Sequence, residues 1–179
     1  EKITLTGILL LYNNMLQSLF DSQIKSLGFV MLIIATMFLI LFKSIALMVI
    51  GIVPNLISAL LVLGIMGIMK LPLDMMTITI AAITVGIAVD NSIHYIYRFK
   101  EELKNCGNYE QTILICHSTI GKAIFFTGIT VIFGFSILIL SNFIPTIIFG
   151  VLTGFAMLVA LIAVLTLLPR MLITLKPIK

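Results

Sequence analysis

The chain has 179 residues, 61% hydrophobic and only 10% charged, with 11 basic and 7 acidic side chains and a net charge of +4. Soluble domains hold about 45–50% apolar and about 25% charged residues, so a water-soluble enzyme or binding module is excluded and a membrane protein is indicated. The basic residues stand in small groups between long apolar runs, which also argues against a nucleic-acid-binding surface.

The opening segment, residues 1–25, is polar enough to lie outside a bilayer. It begins at Glu1 and lacks the basic start, short apolar stretch and small-residue cleavage site of a signal peptide, so the chain reads as a piece of a longer protein. Ile3 to Leu9 is expected to end a strand of an upstream domain, and Tyr12 to Lys25 to form a short amphipathic approach helix.

Residues 26–42, 44–69 and 75–89 contain no charged side chain, and 123–169 is a single uncharged run of 47. As one helix that run would be about 70 Å long, more than twice a hydrocarbon core of about 30 Å. It must fold back, and Ser141-Asn142-Phe143-Ile144-Pro145 supplies the break. The predicted transmembrane domain, residues 26–170, therefore has five spans, at 26–42, 45–69, 75–97, 121–140 and 146–168, followed by a tail at 171–179. Apolar residues crowd every face and strand alternation is missing, which predicts an all-α membrane protein rather than a barrel.

Within these spans, Pro54-Asn55 predicts a kink whose freed carbonyl finds a partner. The connection 98–118 should break at Asn105-Cys106-Gly107-Asn108, leaving Tyr109 to Ser118 as a short helix on the membrane surface. Cys106, Cys116 and His117 match no zinc spacing and read as two reduced thiols and a surface imidazole, so no metal and no cofactor is assigned. No nucleophile–base pair suggests an enzyme. Lys43, Arg98, Lys100, Lys104, Lys122, Arg170, Lys176 and Lys179 fall on one side, against Lys2, Lys25 and Lys70 on the other. The positive-inside rule then puts the first group in the cytoplasm, the amino-terminal segment outside and the carboxyl tail inside.

The informative residue is Asp90, inside the third span. An acid at that depth costs about 2.5–3.5 kcal/mol on insertion scales, so intramembrane carboxyls tend to mark ion paths. Desolvation favours the protonated form, and water or a nearby cation reverses that, which makes such a group a candidate proton switch. Asn91 and Ser92 follow it, and His94 shares its face one turn on. Ala82, Gly86 and Asp90 step by four, a ridge that lets another helix approach closely. Ala123, Thr127, Thr130 and Gly134 line one face of the fourth span and could offer two hydroxyls to Asp90. A buried Asp can equally serve only to hold a neighbouring helix, and threonines often return their hydroxyl to the preceding turn. Gly150 and Gly154 form a GxxxG packing step, and the ten methionines read as pliable packing.

From Gly86-Ile87-Ala88-Val89-Asp90-Asn91-Ser92-Ile93-His94-Tyr95-Ile96-Tyr97-Arg98 to Glu102 the sequence resembles the resistance-nodulation-division (RND) superfamily, in particular its MMPL-type and predicted-exporter branch, related to Patched and sterol-sensing proteins. Pro54-Asn55, the Gly64 to Gly67 step, Leu71-Pro72-Leu73, Gly134-Phe135, Ser141 to Pro145, Phe149-Gly150 and Leu167-Leu168-Pro169 extend the likeness over nearly the whole chain. The resemblance implies the last five helices of one half of a twelve-span transporter, more like the second half. Asp90 would correspond to the acid of the proton relay, with Asn91 at a position that is a second acid or a tyrosine in relatives, and with Thr127 and Thr130 on the neighbouring span. Asn91 cannot titrate, so a complete relay needs a partner from the other half.

The expected function is proton-motive-force-driven export of hydrophobic or amphiphilic molecules, lipids included, across the inner membrane of a bacterium. The expected partners are protons, such a substrate, membrane lipids, the other transmembrane half and, where it oligomerises, further copies of the chain; nucleic acid is not among them. The alternatives are a non-pumping, sterol-sensing-like lipid-binding module and an accessory factor in protein secretion.

Overall fold

A computed structural model describes residues 8–68 and 75–177. Among the described residues the chain is helical throughout and no strand occurs, so the all-α class holds. The strand expected over Ile3 to Leu9 lies mostly outside the described residues, and its last two positions, Ile8 and Leu9, already belong to a helix.

The helices are α1 (Ile8–Phe42), α2 (Ile45–Ile68), α3 (Met75–Cys106), α4 (Tyr109–Cys116), α5 (Lys122–Ser136), α6 (Ile144–Ile162) and α7 (Leu168–Leu175). A π-helical turn, His117–Gly121, joins α4 to α5, and a second, Ala163–Leu167, joins α6 to α7. Two continuous helical rods result, Tyr109–Leu140 and Ile144–Leu175. Together with Ile45–Ile68 they are the three helices long and apolar enough to cross a membrane among the described residues. Gly28–Phe42, the apolar end of α1, is a shorter helix of the same kind.

Each reversal has a local cause. After α1, Lys43 takes a left-handed conformation (φ 51°) and its amide hydrogen-bonds Leu39 O at 2.8 Å, which closes the helix. After α3, Gly107 adopts φ 66°, and the Asn108 side chain caps α4 by accepting from the Glu110 amide at 3.0 Å. The break thus falls where the sequence predicts it. The connection is much shorter than residues 98–118, because α3 stays helical to Cys106 and Tyr109 to Ser118 belong to a longer rod. The third reversal is the Ser141–Phe143 turn, after which Pro145 sits in the first turn of α6, where its missing amide costs nothing.

α6 lies centrally, with α2, α3 and α5 packed around it; α1 rests on α2 and touches α3. The main core gathers Phe38, Phe42, Leu47, Ile50, Val85, Val89, Tyr95, Phe99, Leu161, Val164 and Leu168, all buried. Gly51 lets this core close, since a Cβ there would strike the ring of Phe38. Gly150 sits where a Cβ would meet Phe135 O and Leu138 Cβ, each at 2.7 Å, so α6 approaches α5 to backbone contact; Gly154 has more room. Lys43, Lys104 and Lys176 stand at the α1–α2 and α3–α4 connections and the end of α7, with Arg98 and Arg170 a turn or two before those ends; this is hereafter the basic end.

Candidate functional site

α3 carries the site, and its two faces differ. One face is buried through Ile80, Thr84, Val85, Ala88, Val89, Ser92, Tyr95, Ile96 and Phe99, a helical period that seats it on α2 and α6. The other is exposed at Ala82, Gly86, Asp90, His94 and Tyr97, and a Cβ on Gly86 would touch nothing within 4 Å. Asn91 lies half-buried between the two faces.

Asp90 and His94 meet across one turn, with Asp90 Oδ1 3.5 Å from His94 Nε2. Their side chains remain 70% and 62% exposed, so within this chain the acid faces outward rather than into the bundle. The structure does not bring Thr127 and Thr130 to it. α5 packs against α6 rather than α3, both threonines are exposed, and Thr130 returns its hydroxyl to Phe126 O at 2.9 Å. Gly134 is likewise exposed, and a Cβ there would touch nothing within 4 Å.

Behind Asp90 the buried face holds a polar bridge. The Asn55 amide, 0% exposed, donates from Nδ2 to Gly51 O at 2.7 Å and to Ser92 Oγ at 3.2 Å, while Ser92 donates to Ala88 O at 3.0 Å. The bridge fixes α2 against α3 two residues from Asp90; it engages Gly51 O rather than Ile50 O, the carbonyl that Pro54 leaves without its helical donor. Asn55 Oδ1 and Thr153 Oγ1 are buried with no hydrogen-bond partner.

A second polar cluster, absent from the sequence reading, lies further toward the basic end. The Tyr95 hydroxyl is 2.9 Å from His117 Nδ1, and His117 Nε2 is 3.1 Å from Leu165 O. His117 is therefore engaged on both ring nitrogens, although part of its surface stays open. A buried tyrosine needs a partner for its hydroxyl, and Tyr95 falls three residues after Ser92 on the inward face; that was the available signal. Cys116 is buried and Cys106 half-buried. Among the described residues no group of three His, Cys, Asp or Glu side chains converges as metal ligands would.

Helical rods apolar enough to span a bilayer, packed with a helix that carries an acid on an open face, define a polytopic membrane protein. The chain belongs to the MMPL family, whose sequence model matches residues 1–176. It is 32% identical over 178 residues to the membrane protein YdgH of Bacillus subtilis, covering 96% of this chain and 20% of that protein. It is 29% identical over 120 residues to the membrane protein MJ1562 of Methanocaldococcus jannaschii, covering 67% of this chain and 31% of that one. The chain thus spans less than a third of the length of either relative. No solved structure matches it. Family, relatives and apolar helices together place the chain in a membrane.

Proposed function

We propose that this chain is the five-span part of a transporter that exports hydrophobic or amphiphilic molecules, lipids among them, using the proton-motive force. Asp90 is the proton-exchanging group, and His94 is the base that shares its face. The observation that carries the reading is the Asp90–His94 pair on a face of α3 that stays exposed among the described residues. Ala82 and Gly86 leave that face low enough for another helix to close over the acid. Such closure removes water, favours the neutral carboxyl and changes how the helices pack. A charge crossing 100 mV supplies about 2.3 kcal/mol, which biases a two-state element by several tens of fold.

In this reading the spans at 26–42 and 75–97 join the three apolar helices, the basic end faces the cytoplasm and residues 1–25 lie outside. Thr127 and Thr130 line the same face only once the other half is in place. Full-length protein in liposomes tests the reading. Asp90→Asn abolishes the dependence of substrate efflux on an imposed pH gradient, whereas gradient-driven efflux at the parent rate excludes the role. Substrate binding that ignores the gradient in both proteins would favour the sterol-sensing-like module instead.

A further inference from the structure

One imidazole at the basic end meets the backbone of a distorted helix. Pro169 has no amide hydrogen, so Leu165 O, four residues earlier, lacks the donor that a regular helix supplies. The helix widens there into the π turn Ala163–Leu167, and His117 Nε2 stands 3.1 Å from that carbonyl. His117 itself opens the other π turn, His117–Gly121, where the Ser118 and Thr119 hydroxyls both bond Ile115 O, at 2.9 and 2.8 Å. Single π turns inside α-helices recur at functional positions.

One neutral tautomer of the ring gives both bonds a direction. A carbonyl only accepts, so in the neutral ring Nε2 carries the hydrogen and donates to Leu165 O. Nδ1 is then an acceptor, and the group able to donate to it is the Tyr95 hydroxyl at 2.9 Å; Ile113 O, at 3.2 Å, has no hydrogen to give. The Tyr95 ring, 0% exposed, stands edge-on to the imidazole at 5.8 Å, so both groups are held in orientation.

We infer that His117 is a positioning residue, which ties the inward face of α3, through Tyr95, to the carbonyl left open by Pro169. A shift of α3 at Asp90, about 7.5 Å away along the helix axis, then reaches both π turns through this ring. That last step rests on the reading of Asp90 given above; the tie itself does not.

Cys116, next to His117 and wholly buried in the same core as Tyr95, Phe99 and Leu168, is a built-in reporter. Its alkylation by N-ethylmaleimide in full-length protein, read by mass spectrometry on the Cys116 peptide, measures opening of this region, with half-buried Cys106 as internal control. His117→Gln keeps a donor for Leu165 O and loses the acceptor for Tyr95, so it and Tyr95→Phe break the same bond. Each raises labelling about fivefold, and the double variant goes no higher than either alone. His117→Asn keeps the acceptor and loses the reach to Leu165; its effect adds to that of Tyr95→Phe, and Pro169→Ala, which restores a backbone donor, suppresses it. Unchanged labelling in the single variants, or full additivity of His117→Gln with Tyr95→Phe, overturns the tie.

Asp90→Asn alters Cys116 labelling in the parent and loses that effect in the His117→Gln background. An equal effect in both backgrounds overturns transmission through His117. If Asp90→Asn is silent in both while the Tyr95 and His117 pattern holds, the tie stands and the proton-exchanging role of Asp90 fails.

Discussion

The two faces of α3 are made from the same short stretch of sequence and obey different rules. Ser92, Tyr95 and Phe99 are sealed against α2, α6 and the π turns, and the Ser92 and Tyr95 hydroxyls both have partners inside this chain. Ala82, Gly86, Asp90 and His94, a quarter-turn or more away, are open, and Asp90 and His94 make one loose contact at 3.5 Å. The inward face is finished and the outward face is unfinished. A helix of this kind holds a bundle together on one side and keeps a charge available on the other.

Substitutions sharpen this contrast when thermal unfolding and transport are measured on the same full-length protein. Tyr95→Ala empties a fully buried aromatic site and removes a hydroxyl bond, so it should destabilise by about 3–5 kcal/mol. Ser92→Ala takes away one acceptor of the Asn55 amide, which keeps Gly51 O, and should cost about 1 kcal/mol. His94→Gln removes half of an exposed pair and should change stability by less than about 1 kcal/mol, with transport shifting its pH profile. Gly86→Leu meets open space and should leave the melting temperature where it is, yet, on the proposed function, block transport by holding off a helix that would close on Asp90. A loss of stability from Gly86→Leu as large as that from Tyr95→Ala would erase the distinction between the faces.

Much of the fold is legible in the sequence because bilayer length and turn chemistry are local. The uncharged runs locate the apolar helices, Ser141 to Pro145 locates a reversal and Gly107-Asn108 another, each from a few neighbouring residues. The extent of α3 is less legible, because a helix does not end where its apolar stretch ends: Arg98 pairs with Glu101 and Glu102 at 3.0 and 2.6 Å, which carries the helix on to Cys106. The His117 cluster is not legible from spacing alone, since its partners come from residues 95 and 165 and depend on a carbonyl that only a distant proline leaves open. The outward direction of Asp90 is illegible for a similar reason. Burial is decided by which helices are adjacent, and here α6 rather than α5 lies beside α3.

The connection between α3 and the rod Tyr109–Leu140 is only Gly107 and Asn108, with one left-handed glycine and one capping asparagine. On the proposed reading, in which α3 also spans the bilayer, so short a link leaves no slack for the two to be threaded into lipid one at a time in unrelated directions. They must enter as a preformed antiparallel hairpin, and the sidedness of one dictates that of the other. An error in the topology of α3 would therefore invert its neighbour as well, which makes this two-residue corner the point at which the insertion machinery has to be right.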